Sequence, residues 1–188
     1  MKKILLYIFV VVSITCISCI GLYLFLFNSN IGSHPISNIE TLLIDENEMP
    51  PGWRLDYILP VIGSDAWGID SRLKAFKLDP SRGAIIEYVY RFRNIYESRY
   101  AYFFLKRDPS LIKINKYPFV SYQSPVANDW YFACDYNLSG GPMCDSLARY
   151  DDYIVHFSIS ADKEGFTPAQ LKEVLQSTDD LMKAFLKK

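Results

Sequence analysis

The chain predicts an α+β domain: a mainly antiparallel sheet packed by two or three helices and preceded by one transmembrane helix. Three observations lead there. Six stretches alternate apolar and polar residues between turn-forming clusters, capped amphipathic helices fall after each set of three, and an uncharged apolar run stands ahead of everything. The order is helix, three strands, helix, three strands, helix.

Lys2 and Lys3 precede the apolar run, which covers residues 4–27. A hydrocarbon core about 30 Å thick needs about 20 helical residues, and basic residues ahead of a span favour the cytoplasmic side. The expected organisation is a membrane anchor over residues 1–27, a tether over 28–36 and an extracytoplasmic domain over 37–188. A cleaved signal peptide has an apolar region of about 7–15 residues and then a small-x-small site. This run instead continues through Gly21, Leu22, Tyr23, Leu24, Phe25, Leu26 and Phe27. Cys19 offers another reading, as a lipidated cysteine, because Ile17 and Ser18 are tolerable neighbours in a bacterial lipoprotein signal. Cys16 and the apolar residues after Cys19 fit that signal poorly; inside a membrane helix both cysteines pack as modest hydrophobes.

About 150 residues remain beyond the tether, ordinary for one domain with a full core. Fourteen Tyr, twelve Phe and three Trp favour strands and large contact surfaces over disorder. Without Lys2 and Lys3 the exported part has 18 basic against 21 acidic residues, a net charge of −3. That balance excludes nucleic acid as the expected partner, since phosphate binding needs concentrated positive charge.

Ser37-Asn38-Ile39-Glu40 reads as a capping box opening a short helix with Ile39, Leu42 and Leu43 on one side, and Met49-Pro50-Pro51-Gly52 stops it. Residues 53–62 form a first strand whose Pro60 marks an edge or exit. Residues 69–78 and 84–92 are the arms of a hairpin, because Asp79-Pro80-Ser81-Arg82-Gly83 is a turn sequence in which Pro presets φ and Gly supplies a left-handed position. In the second arm Ile86, Tyr88, Tyr90 and Phe92 share one face; Ile85, Glu87, Val89 and Arg91 share the other.

Asn94-Ile95-Tyr96-Glu97 starts a second helix that runs to about residue 107 before Asp108-Pro109. Its Tyr96, Tyr100, Phe103 and Phe104 recur at helical spacing and are expected to face the core. Residues 110–125 read as a loop with at most one short strand near 119–122. Residues 130–136, 143–150 and 153–160 form a meander, with Tyr153, Val155, Phe157 and Ile159 on one face of its last strand. A final helix has Thr167 as cap, Pro168 in the first position, Gln170 completing the box, and one face made of Leu171, Val174, Leu175, Thr178, Leu181, Met182 and Phe185.

Cys134 and Cys144 flank a dense turn cluster, Asn137 to Pro142. Strands paired symmetrically about Ser139 bring the two sulfurs opposite each other, and an exported location lets them oxidise, so a disulfide is expected. A metal site is not, because two isolated cysteines without a nearby His do not fill a four-ligand shell. The sequon Asn137-Leu138-Ser139 matters only in a eukaryotic secretory pathway, whereas the Met-Lys-Lys start looks bacterial.

Leu42-Leu43, Met49-Pro50-Pro51-Gly52-Trp53, the late cysteine pair, the strand pair around Tyr150 to Phe157 and the closing amphipathic helix together resemble small exported bacterial domains with the PsbP/Mog1-like fold. These include lipoproteins and extracellular sensor domains of some bacterial Ser/Thr kinases. The resemblance implies a non-catalytic binding or accessory module over residues 37–186. No kinase domain is expected here, because only three residues precede the anchor.

The sequence offers little catalytic chemistry. It lacks the G-x-S-x-G elbow, the H-E-x-x-H zinc motif and phosphate-loop signatures. His34 falls in the tether; His156 lies on a strand face between Ile154 and Ser158. Asp45, Glu46, Glu48, Asp151, Asp152, Asp179 and Asp180 read as solvated turn and helix-end charges without calcium-loop spacing. Arg91, Arg93, Arg99, Lys106 and Arg107 form a basic cluster interleaved with tyrosines, open to anionic lipid, wall polymer or an acidic partner, or simply solvated on the outer face of a helix.

The expected function is a membrane-anchored, extracytoplasmic module that binds an unidentified protein or envelope ligand, with no catalytic residue, cofactor or metal. Two alternatives remain: an exported hydrolase of envelope material using His156 with Asp151 or Asp152, and a structural subunit of a membrane complex.

Overall fold

In the computed structural model, residues 2–29, 31–61, 68–78, 82–112, 122–162 and 165–187 are described. The first helix, α1 (Lys2–Asn28), contains a 22-residue stretch of mean hydropathy 2.5, long and apolar enough to cross a bilayer. Cys16 and Cys19 lie exposed on it. After two short 3-10 turns the chain forms β1 (Trp53–Pro60), β2 (Asp70–Leu78), β3 (Gly83–Arg91), α2 (Ile95–Leu105), β4 (Asp129–Tyr136), β5 (Pro142–Tyr150), β6 (Tyr153–Ala161) and α3 (Pro168–Leu186). The element order and the antiparallel α+β class are those the alternation predicts. The loop expected at 110–125, with its short strand, falls mostly outside the described residues, as do Asp79, Pro80 and Ser81 of the first hairpin turn.

All six strands pair antiparallel in the order β1-β2-β3-β6-β5-β4. Two three-strand meanders therefore meet at β3 and β6, whose register runs from Gly83↔Ala161 to Arg91↔Tyr153. Being central, these strands bury both faces, and their alternation sorts side chains into two cores. Ile85, Val89, Val155, Phe157 and Ile159 meet α3 and the Ile39–Leu42 turn on one face. Tyr90 and Ile154 meet Ala101, Tyr102 and Leu105 of α2 on the other.

The cap of α3 matches expectation: Thr167 Oγ1 accepts from Gln170 N while Gln170 Oε1 accepts from Thr167 N at 2.9 Å. Three expectations need correction. The first short helix is a single 3-10 turn capped by Asn38, not Ser37, whose Oδ1 accepts from Glu40 N. The core side of α2 is Ser98, Ala101, Tyr102 and Leu105, whereas Tyr100, Phe103 and Phe104 face outward. Small Ser98 and Ala101 let the helix approach closely, and Ser98 Oγ donates to the Asp151 carbonyl in the β5–β6 turn; bulky rings there would hold it off. Finally, Asp152 and Asp179 are buried, not solvated.

The disulfide joins Cys134 and Cys144, which are direct register partners on β4 and β5. Asn137 organises the turn beyond it: its Oδ1 accepts from Ser139 N and Gly141 N, and its Nδ2 donates to the Ala161 carbonyl at 2.7 Å. Closing a loop of sequence separation 10 restricts the unfolded chain by about 3 kcal/mol. Cys134→Ala with Cys144→Ala is expected to lower Tm by about 6–12 °C in a domain of this size. A scan of the double variant coinciding with the parent would refute a stabilising role.

Candidate cleft on the outer face of the central strands

β3 presents Tyr88 and Tyr90 to the same face, and register places His156 of β6 beside Tyr88 and Leu147 of β5 beside His156. The Tyr88 ring stacks on His156 with centroids 5.4 Å apart and lies parallel to Tyr90 at 6.0 Å. Above this floor, Leu105 at the end of α2 and the following Asp108, Ser110 and Leu111 form a roof, enclosing about 220 Å³. The roof has its own local logic. Asp108 Oδ1 accepts from Ser110 N at 2.8 Å and from Ser110 Oγ at 2.6 Å, an Asx turn that stops α2, and Leu111 is buried beneath it.

Asp145 of β5 ties roof to floor. Its Oδ2 accepts from Ile112 N at 3.0 Å, and its Oδ1 lies 3.4 Å from His156 Nε2, at the long end of hydrogen-bond range. Tyr131 completes the tie by donating its hydroxyl to the Ile112 carbonyl. Burial, and then the nearby Asp145 charge, push the Tyr131 hydroxyl up from its ordinary value, so it remains a donor. Chemically, the cleft offers a flat aromatic platform, the Asp108 carboxylate and the Ser110 hydroxyl at one rim, and an imidazole beside the Asp145 carboxylate.

His156 thus meets an acid, but not one expected from the sequence. Asp151 and Asp152 sit in the β5–β6 turn, where Asp151 takes a positive φ of 51°, and both face His34. Asp152 accepts from His34 N and contacts His34 Nδ1, each at 2.9 Å, while Asp151 lies 3.9 Å from His34 Nε2. His34, within the segment expected as a tether, is thus bonded to the domain at Asp152. Alternation could have pointed to Asp145, which shares the outer face of β5 with Leu147.

The basic cluster divides. Arg91 turns toward the α3 side with a buried Nε. Arg93, Arg99 and Arg107 are exposed on α2 and its entry. Lys106 lies over Tyr131 at 5.5 Å. Among the described residues, no three His, Cys, Asp or Glu side chains group closely enough to hold a metal ion.

The molecule is thus of a definite class: an α+β domain on one antiparallel sheet, disulfide-bonded and joined to an N-terminal apolar helix. Among solved structures its fold is similar to the extracellular domain of PknH from Mycobacterium tuberculosis, with a TM-score of 0.55 at 8% identity, over 84% of this chain and all of that domain. A Bacteroides thetaiotaomicron structure covers 66% of this chain and 43% of its own at 14% identity and a TM-score of 0.26, too loose a superposition to bear on the fold. No known protein family and no curated protein matches the sequence.

Proposed function

We propose that the chain is a single-pass membrane protein whose domain, residues 37–188, is an extracytoplasmic binding module of the PsbP/Mog1-like kind. Its cleft takes a hydroxylated ring such as a sugar unit of the cell envelope. The observation that carries this reading is the stacked row of Tyr90, Tyr88 and His156 under a roof bearing Asp108 and Ser110. Aromatic faces take the apolar face of a sugar ring, and carboxylate and hydroxyl groups pair with its hydroxyls. The similarity to an extracellular domain and the disulfide support the exported location.

Titrating N-acetylhexosamine disaccharides and tetrasaccharides into the detergent-solubilised chain is expected to shift the amide resonances of Tyr88, Leu105, Ser110 and His156 saturably. Tyr88→Ala is expected to weaken that binding about tenfold, the loss of about 1.4 kcal/mol of stacking. Shifts scattered over other surfaces, or none, would retire the saccharide assignment. The Asp145–His156 pair favours one second reading, an exported hydrolase in which Asp145 orients His156 as general base toward water. Release of product from the same oligosaccharides, abolished by His156→Ala, would establish that reading over the first.

A further inference from the structure

Among the described residues, the outward side of α2 has no partner within the domain, although it carries the larger side chains of that helix. Tyr100, Phe103 and Phe104 are 52%, 47% and 41% exposed. They do not stand alone. Tyr23 and Phe27 of α1 pack at 4.4 Å between centroids, Phe27 meets Tyr100 at 5.9 Å, Tyr100 meets Phe104 at 4.5 Å, and Phe104 meets Phe103 at 5.5 Å. One unbroken aromatic series therefore runs from the apolar helix onto α2. It ends under a cation, with the Arg107 guanidinium 3.6 Å from the Phe103 ring centroid.

The joint between the two helices is built from Asn94. Its Oδ1 caps α2 by accepting from Tyr96 N and Glu97 N, and its Nδ2 donates to the carbonyls of Leu26, Phe27 and Ser29 at 3.1, 3.0 and 2.6 Å. One side chain thus closes the C-terminal end of α1 and opens α2. Arg93 Nη1 adds a bond to Asn28 Oδ1 at 3.2 Å. These bonds join the start of α2 to the end of the apolar helix.

We propose that α2 lies in the headgroup boundary of the bilayer that α1 enters, with Tyr100, Phe103 and Phe104 in the lipid interface and Arg99 and Arg107 on anionic headgroups. The inference rests on the reading of α1 as an uncleaved anchor. Continuity with the apolar helix identifies the occupant: a membrane surface begins where α1 ends. Interfacial aromatic rings and flanking arginines are the residue types that bilayer boundaries hold. Because Leu105 of the same helix lines the cleft, the cleft stands about one helix diameter, about 10 Å, from the headgroups.

The test uses the full chain carrying Cys16→Ser and Cys19→Ser, with one fluorophore-labelled cysteine, in vesicles of phosphatidylglycerol and phosphatidylethanolamine. Labels at Phe104→Cys, at Val12→Cys in α1 and at Lys172→Cys on α3 are compared. The label at 104 is expected to be quenched by lipids brominated high on the acyl chain and to be shielded from aqueous iodide at least threefold relative to 172. Equal iodide quenching at 104 and 172, with the label at 12 protected, overturns the docking of α2 while leaving the anchor intact. Iodide access at 12 overturns the anchor and this proposal together. Arg99→Glu with Arg107→Glu is expected to restore iodide access at 104, and unchanged shielding would overturn the assignment of these two arginines to headgroups.

Discussion

Raising the pH from about 4.5 to about 8 is expected to remove several kcal/mol of stability through one side chain, Glu87. It sits fully buried on β3, with Oε2 accepting from Ile44 N at 2.9 Å and Oε1 unpartnered. Its register partner across β2 is Lys74, whose Nζ donates to the Ile44 carbonyl at 2.5 Å. Desolvation dominates and pushes the carboxyl from 4.5 up to about 8, against the smaller downward pull of the Ile44 N–H and of Lys74. The sign follows from proton counting. Below about 4.5 both states hold the proton and the stability is full. Between 4.5 and 8 the unfolded chain releases it while the folded one keeps it, so stability falls, approaching a loss of about 5 kcal/mol as an upper bound.

Other carboxylates titrate as well, so the informative quantity is a difference. Glu87→Gln keeps an oxygen for Ile44 N and cannot ionise. Urea unfolding at pH 4, 6 and 8 should show the variant's advantage over the parent growing by several kcal/mol across that range. An advantage that stays constant with pH would mean that the folded carboxyl is already ionised. Glu87→Leu should stay below Glu87→Gln at every pH, because the buried Ile44 N–H then loses its acceptor.

The second large effect is expected at Asp179 on α3, where three hydroxyls converge. Ser124 Oγ and Tyr150 OH donate to Oδ1, each at 2.6 Å, and Tyr122 OH donates to Oδ2 at 2.5 Å. Burial and the Asp179 charge hold the Tyr150 hydroxyl well above its ordinary value, so it donates at any working pH. The cluster also fixes the approach to β4, since Ser124 Oγ accepts from Ala127 N at 2.8 Å and the Tyr122 carbonyl accepts from Trp130 Nε1 at 2.9 Å. Asp179→Leu strips three donors of their acceptor, two of them buried and Tyr122 half-buried, and should cost about 4 kcal/mol or more, given about 1.5–3 kcal/mol for each charge-assisted bond and incomplete additivity. Tyr150→Phe, which removes one donor and leaves the carboxylate two, should cost about 1–2 kcal/mol. Equal losses in the two variants would show that the carboxylate does not act as a shared hub.

What the sequence discloses and what it hides divide along the distance over which each interaction acts. The cap of α3 spans three residues, the β2–β3 and β5–β6 pairings follow from period-two alternation around short turns, and the cysteines fall opposite each other once their turn is centred on Ser139. α2 was ambiguous because two stripes of helical spacing coexist on it. The aromatic one is the more hydrophobic, yet Ser98, Ala101, Tyr102 and Leu105 face the sheet, with the small Ser98 set against the β5–β6 turn, where its hydroxyl donates to the Asp151 carbonyl. The acids were opaque for another reason. Asp152 finds His34 across 118 positions and Asp179 finds Tyr122 across 57, separations at which no spacing rule operates.

By itself, then, the sequence determined an apolar N-terminal helix, an antiparallel α+β domain and a cross-strand disulfide, because periodicity, caps and turns act over a few residues. Only the tertiary structure decided which acid meets His156, which carboxylates leave water and which side of α2 stays outside. Those outcomes depend on how distant segments share limited space and exclude solvent, and that competition is settled only when the two meanders close against each other.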